Sequence, residues 1–298
     1  MSVRRLQKIK GGSYILSLPI DWVKKHNLDV KSELKVYEIW NGLKIRPPLE
    51  PNSERELIME DLDTTLYLIS VYYMQGVSKI IVRSKGVMSP EIKRALKELQ
   101  LSHPGLEVVD EGFDSVTFSV NFPVSKDLRT LVTKYVEKVK KILSDLLSVI
   151  DDMTPELRDD LVFRCESLIK DYRGIIRNIA IGVQLDDEYG FDLPEKDVIL
   201  YAIFMRDLGR FVSHLEQFIK LLEKGVSKET VEKVVEMFSR ATEMFFTERL
   251  EDIKWLRSTM EELESTCIKS EACKELLRMA SYCLAIMDDA VHKSVRLI

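Results

Sequence analysis

The chain has 298 residues, 31% charged and 45% hydrophobic, with a formal net charge of −5 at pH 7. That composition excludes a disordered protein, and the length allows two or three domains with cores of their own. No apolar run approaches the roughly 18 residues of a membrane span, and the first residues lack a signal peptide's apolar core, so no membrane insertion and a cytoplasmic location are expected. The charge is unevenly spread. Residues 1–49 hold ten Lys/Arg against four Asp/Glu, a balance of +6, which leaves −11 for the remainder. Such asymmetry points to separate partners for the two ends, with drift of solvated surface charge as the plain alternative. Cys165, Cys267, Cys273 and Cys283 fit neither a CxxC zinc pattern nor a secreted disulfide framework, so they are expected to be reduced and mostly buried.

In chain order, residues 3–10 alternate as a strand until Gly11-Gly12, a turn signal, and SYILSLP resumes as a strand closed by Pro19. IDWVKKHN reads as a helix of about two turns that starts near Pro19 and is capped by Asn27. ELKVYEIW and LKIRP flank Asn41-Gly42, a hairpin signal. This ββαββ unit is too small for a large core, so dimerisation is its natural remedy. RPPLEPNSERE then reads as a linker.

Residues 57–124 read as a small α+β module. A helix carries Leu62, Leu66, Ile69 and Tyr73 on one face and ends at Gly76; KIIVR is a strand; SPEIKRALKELQL is a helix opened by Ser89-Pro90; LEVVD and SVTFSVNF are strands. It contains no phosphate loop, catalytic triad pattern or metal-ligand spacing, and reads as a connector.

From 126 to 298 every segment reads as helix. Leu128, Val132, Tyr135, Val139, Ile142, Leu146 and Val149 form one apolar stripe; Val198, Ala202, Met205, Leu208, Val212, Leu215, Ile219 and Leu222 form a second; Leu276, Met279, Cys283, Ile286 and Ala290 form a third. Breaks at DDMTPE, LDDEYGFDLPE, EKGVSKE and STCIKSEA give five or six helices, the 40 or so residues between the last two breaks being one bent helix or two. Leu208 to His214 align with Leu276 to Tyr282 in a Leu-x-Arg-apolar-x-Ser-ring frame, an offset suited to a duplicated three-helix unit.

The segment RRLQKIKGGSYILSLPIDWVKKHNL…LKVYEIWNGLKIRP resembles the AbrB/SpoVT-type swapped-hairpin DNA-binding domain over roughly residues 3–47. The helical part resembles PhoU-type phosphate uptake regulators, and the order of parts resembles the archaeal PhoU-like regulators. The resemblance implies a multidomain α+β protein: a β-rich swapped-hairpin domain over 1–49, an α+β connector over 57–124, and an all-α PhoU-like bundle of two three-helix repeats over 126–298. It implies DNA contacts from Arg4 and Arg5, and from Lys8 and Lys10. It also implies a homodimer, a signal concerning phosphate supply, and a transporter ATPase or sensor protein as partner. Two departures stand out. Lys31-Ser32 occupies the place where such N-terminal domains usually carry Gly-Asp. Gly209 and Ser213, and Leu277 and Ser281, stand where PhoU proteins commonly carry the carboxylates linked to metal clusters, so no metal or cofactor is expected.

On the residues alone, Lys and Arg on a β surface neutralise phosphates and release counterions, while lysines on a solvated edge strand also guard against aggregation. Lys24 and Lys25 extend the patch or form a plain exposed face. The four histidines are scattered, and the pair Asp289 and His292 reads as a surface contact. Arg210 and Arg278 either form ion pairs in the bundle or touch an anion. Phe245-Phe246 and Trp255 read as core or as a partner surface. No nucleophile, base pair or cofactor loop converges, so no enzyme is expected. Two functions fit: a DNA-binding transcriptional regulator with a signal-receiving bundle, or a dimeric protein-interaction adaptor without specific DNA binding.

Overall fold

The computed structural model describes residues 3–39, 42–47, 53–185, 190–222, 226–267 and 270–296. It divides into two compact units, Met1–Glu50 and Pro51–Ile298, so the α+β module and the helical region share the second.

The first unit keeps the expected ββαββ order with shorter strands: β1 (Gln7–Lys8), β2 (Tyr14–Ile15), α1 (Ile20–Lys25), β3 (Lys35–Ile39) and β4 (Gly42–Arg46). β1 and β2 pair antiparallel around Gly11 and Gly12, at φ +120° and +97°, where only glycine avoids strain. Helix α1 closes on His26, and Asn27 follows it in the left-handed region at φ 51°. β3 and β4 pair antiparallel from Lys35↔Arg46 to Ile39↔Gly42. Gly42 therefore belongs to the strand rather than to an Asn41-Gly42 turn, and Asn41 lies outside the described residues. Lys31 takes the left-handed φ of 76°, in a turn closed by Ser32 N donating to the Asp29 carbonyl at 3.0 Å. A lysine thus holds the conformation that favours glycine.

The second unit begins with β5 (Glu54–Ile58), a strand where the sequence reads as linker. Then follow α2 (Leu62–Met74), β6 (Lys79–Arg83), α3 (Pro90–Ser102), β7 (Leu106–Glu111) and β8 (Ser115–Val120). The sheet order is β5-β6-β8-β7, with β5 and β6 parallel and the other pairs antiparallel. A parallel pair needs a crossover, which α2 supplies. Asp61 and Ser89 cap α2 and α3 by accepting from Thr64 N and Ile92 N. Gly76 (φ +92°) ends α2: its N–H reaches the Tyr73 carbonyl and the Val77 N–H reaches that of Tyr72, the paired bonds of a Schellman cap. Ile69, Tyr73, Ile80, Val82, Leu96, Val116 and Phe118 fill the core of this layer.

Six helices follow among the described residues: α4 (Leu128–Val149), α5 (Pro155–Gln184), α6 (Glu195–Leu221), α7 (Lys228–Thr247), α8 (Ile253–Thr266) and α9 (Glu271–Ser294). The long segment after α6 is two helices, broken at Glu248 in the left-handed region (φ 59°). The stripes face inward: all but Val149 and Ala202 of the named residues are buried. Phe204 stacks on Phe245 at 3.8 Å and Phe211 lies 4.4 Å from Phe238. Phe245 is thus core, whereas Trp255 is half-buried with the Arg240 guanidinium 4.2 Å from its ring centre.

The third helices of the two halves, α6 and α9, share the most extensive packing in the molecule. His214 and Tyr282, equivalent in the repeat frame, stack on each other with ring centres 5.5 Å apart. Cys267 and Cys273 form a disulfide with Cα atoms 5.3 Å apart, against the expectation of reduced cysteines; Cys165 and Cys283 are free and buried. That Cα separation lies within the reach a disulfide needs.

The module is locked to the bundle through α5. Arg177, 4% exposed, donates to the Tyr73 and Val77 carbonyls at 2.6 and 2.9 Å, with its guanidinium 5.1 Å from the Tyr73 ring centre. These carbonyls lie at the C-terminal end of α2, where the helix dipole favours a cation. Arg173 donates to the Ser102 carbonyl, and Gln184 to that of Gln75.

Candidate nucleic-acid interface

Among the described residues 3–47 no side chain is buried. Val3, Leu6, Ile9, Tyr14, Ile15, Leu16, Ile20, Val30, Val36 and Leu43 are each at least 43% exposed. A single copy therefore has no core to offset the entropy of ordering its backbone. Apolar exposure on this scale is more than a self-sufficient small domain ordinarily shows.

Arg4, Arg5, Lys8 and Lys10 are all exposed, on and around β1, which pairs with β2 through Gln7↔Ile15 and Lys8↔Tyr14. The Lys8 ammonium sits 5.9 Å from the centre of the Tyr14 ring. Lys24 and Lys25 form the last turn of α1 and are also exposed. None of these six has an ion-pair partner among the described residues, which leaves them open to an external anion. Lys8 lies in β1, Lys10 in the turn that follows it, and Arg4 and Arg5 in the segment just before it. A flexible cation that is unpaired in the free protein contributes to binding mainly by displacing counterions from a polyanion.

Further charged groups are buried along the α6–α9 seam. Asp207 (3% exposed) binds Arg206, and Glu275 (7%) accepts from His214 Nδ1 at 2.6 Å and pairs with Arg278. Asp289 (5%) faces Asp207, and its Oδ2 has no hydrogen-bond partner among the described residues. Burial, with the like charge of Asp207 adding to it, pushes the Asp289 carboxyl up to about 7. Asp289 is thus buried rather than a surface partner of His292, which is exposed. Arg278 is the paired member of the two repeat arginines; Arg210 is exposed.

Sequence reasoning missed this seam, although a signal exists. Asp207 and Glu275 directly precede the two aligned stretches and share their offset. At position 209 a side chain has no room, since ring atoms of Tyr172 stand 2.6 to 3.0 Å from where a Cβ would lie. Ser213 Oγ donates back to the Gly209 carbonyl at 3.0 Å, Leu277 is half-buried and Ser281 is exposed. No group of three or more His, Cys, Asp or Glu among the described residues is arranged to hold a metal ion. No helix among them is long and apolar enough to cross a membrane.

Residues 7–52 match a family model described as antidote-toxin recognition MazE, bacterial antitoxin. The match spans β1 to β4 and supports the swapped-hairpin DNA-binding reading of the first unit, while the helical part lies outside it. No curated protein and no solved structure matches the chain.

Proposed function

We propose that this protein is a homodimeric DNA-binding regulator. In this reading two copies of residues 1–49 build one swapped-hairpin domain that sets Arg4, Arg5, Lys8 and Lys10 of each copy against DNA phosphates. One observation carries the proposal: a basic unit in which, among the described residues, Arg4, Arg5, Lys8 and Lys10 have no ion-pair partner and no side chain is buried, in a chain whose remainder carries −11. The exposed apolar residues call for a second copy, and the unpaired cations call for a polyanion. The MazE match over 7–52 supports both halves of this reading.

The acidic second unit, with its connector over 57–124 and bundle over 126–298, then receives the signal that controls DNA occupancy. Following the PhoU-type resemblance of the bundle, we take that signal to concern phosphate supply, delivered by a transporter ATPase or a sensor protein. This reading assigns no reaction to the chain. Loss of the protein should change transcripts that respond to phosphate starvation, and unchanged transcripts would remove this part of the proposal.

The ten exposed apolar side chains also favour a second reading, an adaptor whose N-terminal unit only dimerises. Fluorescence anisotropy with mixed-sequence duplex DNA separates the two. The full chain should bind, and a chain starting at Pro51 should not. If neither binds, the adaptor reading replaces the regulator.

A further inference from the structure

A cavity of about 420 Å³ opens where the α+β module joins the bundle, inside the roughly 300–1,000 Å³ range of small-molecule sites. Its walls come from Pro104, from residues 122–125 that follow β8, from α4 and from α5. Phe122, Val124, Leu131 and Ile175 make its lining largely apolar. Gly174 is part of that shape: a Cβ there would lie 3.0 Å from Cζ of Phe122, so the missing side chain lets the ring lie against α5. The wall is fixed in place by Asn178, whose amide accepts from Ser125 N at 2.7 Å and donates to the Ser125 carbonyl at 2.9 Å. Tyr135 also lines the cavity, and its buried hydroxyl has no hydrogen-bond partner among the described residues.

Charge is arranged around this apolar space with one sign in excess. Lys134, Lys138 and Lys170 line the cavity against the single carboxylate of Asp171. Asp171 is taken by Lys138 at 2.7 Å. Lys134 and Lys170 have no ion-pair partner among the described residues. An open apolar recess with two ammonium groups that have no ion-pair partner among the described residues complements a ligand that is itself apolar at one end and anionic at the other.

We propose that this cavity binds a small amphipathic carboxylate. Its hydrocarbon or aromatic body lies against Phe122, Val124, Leu131 and Ile175, and its carboxylate is met by Lys134 and Lys170. The ligand touches α4, α5 and the link from the module at once, so its binding ties the module to the bundle more firmly. This adds a chemical class of signal to the regulatory reading, and it is tested without DNA, so either can fail alone.

The experiment is calorimetric titration of the full chain with octanoate, 1-octanol, acetate and inorganic phosphate. Octanoate should bind saturably with one site per chain, 1-octanol at least tenfold more weakly, and acetate and phosphate not measurably. Lys134→Glu combined with Lys170→Glu should weaken octanoate at least tenfold and leave 1-octanol unchanged. Neither lysine has an ion-pair partner among the described residues, so this variant should fold as the parent does. Leu131→Trp, which fills the space, should abolish binding of octanoate and 1-octanol alike. The proposal is overturned if octanoate does not bind, if acetate or phosphate binds as tightly, or if both variants bind octanoate as the parent does.

Discussion

Asp289 gives the sharpest test of how the bundle core is organised. Its carboxyl is buried in the α6–α9 seam, one oxygen has no partner among the described residues, and Asp207 adds like charge. Burial first and Asp207 second raise its pKa from 3.8 to about 7, against the opposing pull of Arg206. The sign follows from proton counting. Between pH 4 and 7 the folded state keeps a proton that the unfolded state has released, so raising the pH through this window removes stability. At about 1.4 kcal/mol per pKa unit, the full rise is worth about 4 kcal/mol at pH 8. Relaxation and water entry around a buried charge reduce that figure. Asp289→Asn keeps the shape and removes the charge. We expect it to stabilise the protein by about 2 to 4 kcal/mol at pH 8 and by no more than about 1 kcal/mol at pH 4.5. Urea unfolding followed by circular dichroism at the two pH values measures the difference. A variant less stable than the parent at pH 8, or shifted equally at both, would show that Asp289 is held ionised and well solvated.

Three further substitutions probe other features. Lys31→Gly relieves a left-handed lysine and should stabilise the first unit by about 1 kcal/mol; slower amide exchange around Asp29 to Ser32 in the full chain would show it. Arg177→Met removes two hydrogen bonds from a charged donor, each worth roughly 1.5–3 kcal/mol. Relief of a buried cation offsets part of that loss, so a net destabilisation of about 2 kcal/mol is expected. Faster exchange at Gln75 to Val77 should accompany it, and unchanged exchange there would refute the role of Arg177 in clamping α2. Tyr135→Phe removes a buried hydroxyl without a partner and should raise the thermal midpoint of the ligand-free protein, by about 1 kcal/mol in stability; a clear loss would reveal a hydrogen bond to that hydroxyl.

The helical stripes were legible in the sequence because a 3.6-residue period is a local signal, and Leu128, Met205 and Cys283 lie in the core as the spacing indicates. Caps at Asp61, Ser89 and Thr154 are short-range chemistry of the same kind. What escaped is what depends on distant partners. β5 carries Glu54, Arg55 and Glu56 and reads as linker, yet it becomes a strand because β6 supplies its parallel ladder and its Leu57 reaches the core. Arg177 has no special neighbours in sequence; its partners lie about a hundred residues away. The shared offset of Asp207 and Glu275 can be read in the sequence, but the approach of Asp289 to Asp207 is visible only when the two helices are laid side by side. For the candidate interface, residue types and charge were readable from the start, whereas the exposure of Arg4, Arg5, Lys8 and Lys10 and the lack of a buried side chain among the described residues came from the structure.

The most direct test of the central claim is the salt dependence of DNA affinity for the full chain and for Arg4→Ala/Arg5→Ala. Eight cations at and around β1 in a dimer predict a slope of log affinity against log salt near −7, and loss of the four arginines a slope near −4. Between 50 and 200 mM salt the parent should lose about 10⁴-fold in affinity and the variant about 10²-fold. Equal slopes for the two proteins, or no binding by the parent at 50 mM, would contradict the assignment of this hairpin to DNA.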